Sequence, residues 1–475
     1  MIQAQRRLLA VWICKMLIIA GKLLGKRGSA TPGKFALRIA PDILRHLAAQ
    51  VRQGIIAVCG TNGKTTTNNF IYTLLRAGGY TLVCNRVGAN MLYGAVTAFA
   101  DAAGYGGRLN ADFACIEVDE LSAVKVFAHF TPNIIVITNL FRDQLDRYGE
   151  IDITIESLKR AAAQAGKATL LLNADDPMLA AFGREVRAQG HANIKYFGLR
   201  DAPLGQSEPY PQGTSPCSQR GVQPPCCTSI ETREGRFCRL CGAELKYDAY
   251  YYSQLGRYAC PRCGFTRPEP DYTAENITLD GGIAFDLDGT HIAADYRGLY
   301  NIYNMLAACA VLWEYDIRAV DINKAFAGYR PQIGRMETFT IGGKQVILNL
   351  SKNPAGFNQA IAALRTDTRS KTVVIVINDN DQDGRDVSWL WDVDFERLDN
   401  IPDIITSGLR AADMRVRMKY AGNMARILPE IKEAIRAALL CDSDVVYTLV
   451  NYTALFYTHD LLEKLSKRRT RFIWK

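Results

Sequence analysis

The sequence predicts an α/β protein with a parallel sheet around a phosphate-binding loop, an inserted four-cysteine zinc ribbon and a second, Rossmann-like domain. Apolar runs typical of buried strands alternate with helical stretches from residue 55 onward, as in parallel sheets flanked by helices. The first run leads into a loop with glycine and lysine, and two CxxC pairs lie further along the chain. The runs are IIAVCG (55–60), DFACIEVDE (112–120), NIIVITNL (133–140) and ATLLLNADD (168–176).

Length and composition indicate a globular protein of two or three domains. The 475 residues are 48% apolar and 22% charged, which excludes a largely disordered chain. The formal net charge of +9 favours acidic substrates or anionic lipid as partners and does not by itself indicate nucleic acid. Thirteen cysteines without a regular secreted spacing predict a cytoplasmic location.

Residues 1–40 are predicted to form an amphipathic helical segment. The stretch LLAVWICKMLIIAGKLLGKR (8–27) is apolar enough to suggest a signal peptide or a membrane span, but Lys15 interrupts it and no small-residue cleavage site follows. Lys15, Lys22 and Lys26 recur on one helical face. We therefore expect no transmembrane span but a helix that packs on the core, with a peripheral position on the membrane as the alternative.

The loop after the first strand has the residues of a phosphate-binding loop. Glycines let backbone N–H groups surround an oxyanion, and the helix that follows adds positive potential. We expect Lys64 to reach the outer phosphates of ATP and Thr65 to ligate Mg²⁺. The loop is one residue short of the full GxxxxGK[ST] spacing, and an ordinary strand-to-helix turn is the alternative. The predicted ATP-binding residues here are Gly60, Thr61, Asn62, Gly63, Lys64, Thr65 and Thr66.

Two cysteine pairs predict a closed, structural zinc site within a ribbon at residues 236–270. Cys238 and Cys241 form the first pair and Cys260 and Cys263 the second, with eighteen residues between the pairs and a glycine after each pair. Two such turns can close tetrahedrally on one Zn²⁺, and four thiolates leave no coordination position open for catalysis.

The segment at residues 202–235 is rich in proline, glycine, serine and glutamine and is predicted to be a flexible surface insertion. We expect its cysteines, Cys217, Cys226 and Cys227, to be idle thiols, with metal binding as the alternative.

Residues 336–475 are predicted to form the Rossmann-like C-terminal domain, after a central ATP-binding domain at residues 41–335. Its strands are expected in KTVVIVIN (371–378), IPDIITSG (401–408), DVVYTLVN (444–451) and RTRFIWK (469–475).

Five motifs occur in the order seen in the Mur ligases, which the chain resembles over residues 40–345. They are GTNGKTTT (60–67), CIEVDE (115–120), VITNLFRDQLDRYG (136–149), GLYNIYNMLAA (298–308) and GRME (334–337). The resemblance implies a Mur-ligase central domain that uses ATP to join a carboxylate to an amine. The zinc ribbon, NDNDQDGRD (378–386) and SKNPAGFNQ (351–359) resemble the branch of this family that amidates the glutamate of lipid II.

The resemblance assigns roles to acidic residues near the loop. It implies that Glu117 ligates Mg²⁺, with Asp119 and Glu120 as weaker candidates. In the next motif the family commonly has Asp-His, and this chain has Asp143 followed by Gln144, which puts a metal contact there in doubt.

The resemblance also implies contacts to the nucleotide from more distant residues. Asn301 and Asn304 lie three apart on one helical face and would contact adenine, because amides offer both donors and acceptors. Arg335 matches the family arginine that meets the phosphates, which suits its bidentate fork. Asn349 replaces a family aspartate and removes a charge expected near the ribose.

The reaction implied is activation of the D-glutamate α-carboxylate of lipid II as an acyl phosphate, followed by amidation to D-isoglutamine. None of the five histidines accompanies a recognisable nucleophile elbow around a cysteine, so the ammonia is expected from a partner, a GatD-like glutamine amidotransferase subunit. The resemblance implies that an aspartate of this chain completes the partner's Cys-His pair as a third triad member. Asp386 is the first candidate and Asp383 the second.

Two other functions stay open at this point. An ordinary amino-acid-adding Mur ligase, or a relative of folylpolyglutamate synthase, would bind an amino acid in the C-terminal domain. A non-enzymatic scaffold would use the nucleotide fold and the ribbon for partner binding only. The combination of Lys64, Thr65, Glu117 and Arg335 argues against the scaffold.

Overall fold

The computed structural model describes residues 2–23, 30–85, 89–142, 151–201, 235–279, 281–296, 298–329, 333–399 and 401–467. These residues divide into two compact units, of which the first holds residues 2–140, 152–201 and 235–329 and the second is formed mainly by residues 333–467. Several predicted features lie outside the described residues. They are residues 202–234 with Cys217, Cys226 and Cys227, the pair Asp143 and Gln144, and the RTRFIWK strand.

Three helices open the first unit: α1 (Ile2–Leu23), α2 (Thr31–Ile39) and α3 (Ile43–Ala48). Ala10, Val11 and Cys14 bury one face of α1, which packs against α2. Arg7 of α1 forms a salt bridge with Asp42. Within the described part of the chain, no helix combines the length and the apolar character needed to cross a membrane.

A nine-stranded sheet forms the centre of the first unit. The further elements of this unit are β1 (Val51–Cys59), α4 (Lys64–Ala77), β2 (Leu82–Cys84), α5 (Leu92–Ala102), β3 (Ala111–Glu117), α6 (Ala123–Phe127), β4 (Ile134–Ile137), α7 (Ile151–Gln164), β5 (Thr169–Asn173), α8 (Pro177–Ala188), β6 (Ile194–Leu199), β7 (Lys246–Tyr252), β8 (Leu255–Ala259), β9 (Tyr272–Thr278), β10 (Ile283–Leu287), β11 (Thr290–Ala294), α9 (Tyr300–Glu314) and α10 (Ile322–Ala327). The strand order is β11-β10-β9-β6-β5-β4-β1-β3-β2. Strands β1 to β6 and β9 pair in parallel, and β10 and β11 are antiparallel. The predicted parallel sheet is confirmed, because each apolar run forms one of its strands.

Two buried aspartates that follow β5, Asp175 and Asp176, connect the sheet to other elements of the first unit by hydrogen bonds. Asp175 accepts hydrogen bonds from the Tyr303 hydroxyl of α9 at 2.7 Å and from the Leu199 N–H at 2.9 Å. It also pairs with Arg267 Nε at 2.6 Å. Arg267 follows the second cysteine pair, so one carboxylate joins the sheet, α9 and the end of the ribbon.

Asp176 makes a second set of connections. Its carboxylate accepts hydrogen bonds from the Leu140 N–H and the Gln254 side-chain amide, both at 2.8 Å, and from the Met178 N–H at 3.0 Å, where it caps α8. Gln254 lies at the tip of the β7–β8 hairpin of the ribbon. Burial raises the pKa of Asp176 to about 6, and the hydrogen bonds that its carboxylate accepts oppose this rise.

The second unit has a six-stranded sheet covered by helices on both faces. Its elements are β12 (Glu337–Ile341), β13 (Lys344–Leu350), α11 (Pro354–Thr366), β14 (Lys371–Val376), β15 (Asp403–Ser407), α12 (Ala411–Tyr420), β16 (Arg426–Ile427), α13 (Ile431–Leu440), β17 (Val445–Val450) and α14 (Tyr452–Lys467). The strand order is β12-β13-β17-β14-β15-β16, and β12 alone of these strands is antiparallel to its neighbour. Alternate residues of β14 enter two separate cores, which confirms the predicted Rossmann-like architecture.

Candidate active site

The predicted phosphate-binding loop connects β1 to α4. Gly60 and Gly63 have φ angles of +115° and +84°, which side chains with a Cβ rarely adopt. At Gly60 there is no space for a Cβ either, because the atom would lie 2.8 Å from the Thr138 nitrogen and 2.9 Å from the Asn139 oxygen. The loop therefore lies against the end of β4, and its curvature depends on glycine.

Thr138 and Asn139, directly after β4, hold the loop in place. The Thr138 hydroxyl donates to the Asn62 carbonyl at 2.7 Å, and the Asn139 amide nitrogen donates to the same oxygen at 3.0 Å. In return the Asn62 N–H donates to the Asn139 side chain at 2.9 Å, and the Thr61 N–H to the Asn139 carbonyl at 2.9 Å. These four hydrogen bonds fasten the outer curve of the loop to the end of β4.

Lys64 lies inside the loop and pairs with Glu120. Its Nζ donates to the Gly60 carbonyl at 2.6 Å and to Glu120 Oε1 at 2.9 Å, and the same oxygen accepts the Gly60 N–H at 2.8 Å. Both side chains are buried. Burial raises the pKa of Glu120 above its ordinary value, and the Lys64 charge opposes this rise. The sequence favours Glu117 over Glu120 as a Mg²⁺ ligand. In the structure, the carboxylate of Glu120 contacts Lys64.

Glu117 ends β3, next to β1 in the sheet. Its backbone forms two hydrogen bonds of 2.8 Å with the Asn85 side chain, and its Oε1 accepts one from the Asn90 amide at 3.3 Å. Asp119 is buried near it and accepts the Leu121 N–H at 3.2 Å. The two asparagines were missed by sequence reasoning, since nothing local distinguishes them from loop polar residues.

Asn304 of α9 is brought to the loop. A Cβ on Gly63 would lie 2.3 Å from Asn304 Oδ1. That oxygen accepts the Thr67 hydroxyl of α4 at 3.2 Å, while the amide nitrogen donates to Asn301 at 3.2 Å. Asn304 is buried and Asn301 is half-buried. The Asn304 amide therefore lies beside the phosphate-binding loop, and Asn301, one turn earlier in α9, contacts Asn304.

Four cysteine thiols converge in the ribbon. Cys238 Sγ lies 3.6 Å from Cys263 Sγ, and Cys241 Sγ lies 3.5 Å from Cys260 Sγ. All four sulfur atoms are within 4.8 Å of one another and could hold a metal ion. The two turns have the same design, with the N–H of Gly242 donating to the carbonyl of Cys238 and that of Gly264 to Cys260. A set of four thiolates at this spacing fits tetrahedral Zn²⁺.

The ribbon is attached to the first unit by an apolar cluster. Leu245, Tyr258 and Phe265 pack with Ala180 and Ala181 of α8. Together with the bonds to Asp175 and Asp176, this contact makes the ribbon a part of the unit rather than an appended module.

The acidic loop of the second unit contains two aspartates in different settings. Asp383 is buried and accepts the Thr453 N–H at 2.8 Å and the Thr453 hydroxyl, at the start of α14. Burial raises its pKa. Asp386 is half-buried and accepts the Ser388 N–H at 2.8 Å and the Ser388 hydroxyl at 3.0 Å. Asp383 therefore fastens the loop to the helix, whereas Asp386 bonds within its own turn.

A polar pocket adjoins Asp383 at the carboxyl end of the second sheet. Arg410 pairs with Asp379 at 2.9 Å and Arg385 with Asp381 at 3.0 Å across its lining. The pocket is lined by Asp379, Asn380, Asp381, Gln382, Arg385, Arg410 and Thr453. In the same unit, Arg335 is half-buried directly before β12, and Asn349 accepts the Met336 N–H at 3.3 Å.

Comparison with solved structures assigns the fold. A pseudomurein peptide ligase type C from Methanothermus fervidus superposes with a TM-score of 0.68 at 21% identity, covering 92% of this chain and 85% of that one. MurF from Acinetobacter baumannii superposes with a TM-score of 0.62 at 15% identity, covering 91% and 80%. The family model for the Mur ligase middle domain matches residues 58–215. The fold is that of a Mur ligase.

Sequence comparison is more specific. The family model for the MurT ligase C-terminal region matches residues 350–455. The MurT subunit of lipid II isoglutaminyl synthase (glutamine-hydrolyzing) from Staphylococcus aureus (strain COL) is 34% identical, covering 97% of this chain and 98% of that protein. The MurT subunit from Streptococcus pneumoniae (strain ATCC BAA-255 / R6) is 33% identical, covering 92% of each. The chain belongs to the MurT family of ligase subunits.

The close approach of the loop to β4 generates a stability prediction. We expect Gly60→Ala to cost about 1–3 kcal/mol more free energy of unfolding than Gly79→Ala, because the added methyl group collides with the backbone of Thr138 and Asn139. Gly79 is the matched control. It also has a positive φ, of +85°, and nothing lies within 4 Å of an added Cβ there, so its substitution costs only the backbone strain of about 1 kcal/mol. Urea denaturation of both variants measures the difference. Equal losses of the free energy of unfolding in the two variants would show that the loop is not held against β4.

Proposed function

We propose that this chain activates the α-carboxylate of the D-glutamate in lipid II with ATP and transfers ammonia to it, giving D-isoglutamine. One observation carries the proposed ligase chemistry: the loop is fastened to the sheet and positions Lys64 at the N-terminus of α4. A loop of this kind is suited to binding phosphate groups. The identity of one third over nearly the whole chain to subunits of lipid II isoglutaminyl synthase supports the substrate.

The proposed reaction has two steps. A carboxylate oxygen attacks the γ-phosphorus of ATP, the bond to the bridging oxygen breaks, and ADP leaves. Ammonia then attacks the carbonyl carbon of the acyl phosphate, a C–N bond forms, the C–O bond breaks, and phosphate leaves with loss of one proton. Phosphorylation is needed because an oxide ion is too poor a leaving group. Mg²⁺ would neutralise phosphate charge in the first step.

We assign the residues as follows. The N–H groups of the loop and of the first turn of α4 bind phosphates, and Lys64 moves from Glu120 to the outer phosphates. Thr65 and Glu117 hold Mg²⁺ through oxygen ligands, and Glu120 positions Lys64. Asn301 and Asn304 bind adenine, since the Asn304 amide lies beside the loop and Asn301 accepts a hydrogen bond from it. Arg335 binds the phosphates as the family resemblance implies.

The activity is tested with lipid II, ATP and ammonium as substrates. We expect Lys64→Met to lower ATP-dependent amidation by about 100-fold or more, with the product followed by mass spectrometry. Because this change leaves Glu120 buried beside a neutral side chain, the double variant Lys64→Met/Glu120→Gln is tested in parallel, and circular dichroism checks that both remain folded. Near-normal activity of a folded variant would reject the assignment. ATP consumption with amino acids but not with ammonium would indicate an amino-acid-adding ligase instead.

We propose that the four cysteines of the ribbon bind one structural Zn²⁺. The convergence of their sulfur atoms within 4.8 Å supports a closed site. Burial raises the pKa of the Cys238 thiol to about 12. At Cys260, hydrogen bonds from backbone N–H groups and from neighbouring thiols outweigh burial and lower the pKa of the thiol to about 6. Because the ligands of a metal must be deprotonated, binding of Zn²⁺ would release protons from this cluster.

We expect about one zinc per chain in freshly purified protein and a loss of that zinc in Cys238→Ser. The variant should also melt at a lower temperature, because metal bound to the folded state contributes folding free energy. Cys441→Ser is the control, since Cys441 lies outside the four-cysteine cluster, in the second unit. Elemental analysis and thermal melts measure both effects. Wild-type protein without zinc would contradict the proposal.

We propose that ammonia is supplied by a GatD-like glutamine amidotransferase and that Asp386 orients the catalytic histidine of this partner. The different settings of the two aspartates support this choice. Asp383 is buried and engaged with Thr453, whereas Asp386 is half-buried and its bonds stay within its own turn. A carboxylate that accepts from an imidazole N–H stabilises the charged histidine during cysteine activation.

We expect Asp386→Asn to lower glutamine-dependent amidation by about 100-fold while ammonium-dependent amidation is retained. Asparagine preserves the bond from the Ser388 N–H, so the turn should persist. Asp381→Asn in the same loop is the control, because the Asp381 side chain is exposed, and it should affect neither reaction. Equal loss of both reactions would place Asp386 in the ligase site. Loss of neither would transfer the role to Asp383.

A further inference from the structure

An apolar stripe runs along the outer face of α1. It consists of Leu9, Trp12, Met16, Ile19 and Leu23, which follow one another at intervals of three and four residues and are all at least half exposed. This spacing places them on one side of a helix. Met16 is 68% and Leu23 83% exposed. Since single exposed apolar residues are normal but a continuous row is not, the stripe indicates an interaction surface.

The stripe is distinct from the face of α1 that packs on the first unit. Ala10, Val11 and Cys14 are fully buried on the inner face. Trp12 donates its Nε1–H to the Tyr105 carbonyl at 2.7 Å, so the edge of the indole is fastened and its ring stays half exposed. The inner contacts hold the helix in place and leave the stripe available.

Positive charge predominates around the stripe. Residues 1–41 contain eight basic side chains and no acidic one; the basic residues are Arg6, Arg7, Lys15, Lys22, Lys26, Arg27, Lys34 and Arg38. Arg6, Lys22, Lys34 and Arg38 are exposed. The carboxylates near α1 belong to other segments: Asp42 is paired with Arg7, and Asp101 lies near Cys14.

We propose that the stripe docks α1 onto an anionic membrane surface. A helix with an apolar face and basic flanks binds in the interface plane, through apolar burial together with attraction to anionic headgroups. A second copy of this chain fits less well, because it would bring two basic surfaces together. The inference is consistent with the proposed function, whose substrate is lipid-linked, and rests on the geometry of α1 and the charge of residues 1–41.

The test is flotation of the full chain with vesicles. We expect binding to mixed phosphatidylcholine–phosphatidylglycerol vesicles, weaker binding at high salt and little binding to phosphatidylcholine alone. Met16→Ser/Ile19→Ser should lower the partition coefficient by at least about tenfold, and Arg6→Gln/Lys22→Gln should weaken the preference for anionic lipid. Met424→Ser/Leu440→Ser is the matched control, because these apolar residues are similarly exposed in the second unit, and it should bind as the wild type does.

Two outcomes would overturn the proposal. Equal flotation of the stripe variant and the wild type would exclude the stripe as the contact. A wild-type dimer by light scattering that the stripe variant converts to a monomer, with no flotation of either, would identify the stripe as an interface between copies. Amidation of a water-soluble substrate analogue without the lipid should be equal in the wild type and the stripe variant. Absence of this activity in both would reject the proposed function and leave the vesicle result standing.

Discussion

The first unit depends on the burial of two adjacent carboxylates, Asp175 and Asp176, where β5 ends. A carboxyl group removed from water is tolerated only when its oxygens are satisfied, and the partners here come from separate parts of the chain. The end of β4, the N-terminus of α8, the ribbon and α9 all supply donors. Since Tyr303 directly precedes Asn304, the same bonds that anchor the ribbon also locate α9 beside the phosphate-binding loop. The ribbon and the predicted phosphate-binding loop are thus positioned by the same pair of carboxylates.

Features encoded by local pattern could be predicted from the sequence. The apolar runs predict the strands. The loop from Gly60 to Thr65 and the cysteine pairs could be recognised because their functional residues lie within a few positions of one another. The Lys64–Glu120 pair could not be predicted, because the two residues are 56 positions apart and Glu120 follows Glu117 in one acidic run. Asn139 belongs to a motif that the sequence identifies, but its hydrogen bonds to the loop could not be predicted, since these depend on the neighbouring position of β1 and β4. Long-range contacts of this kind are decided by topology.

In the acidic loop of the second unit, too, a long-range contact decides what the sequence alone could not. The sequence offers Asp383 and Asp386 three residues apart, with the same side chain and similar neighbours. They are distinguished by Thr453, seventy residues later, whose N–H and hydroxyl engage Asp383 at the start of α14. The burial of Asp383 follows from the packing of that helix on the sheet. Which of the two carboxylates is more accessible therefore depends on the tertiary structure. It can be decided only when the position of α14 is known.

The pairing of Lys64 with Glu120 couples the ligands of the loop. A phosphate group attracts the ammonium that Glu120 now holds, and drawing it away leaves a buried carboxylate without that counter-ion, which costs free energy. Mg²⁺ bound at Thr65 and Glu117, as proposed, or a proton on Glu120 would lower this cost. Under that assignment, cation and phosphate would each raise the affinity of the loop for the other by the same factor, since such linkage is reciprocal. The loop would then bind phosphate weakly in the absence of Mg²⁺ and more tightly in its presence.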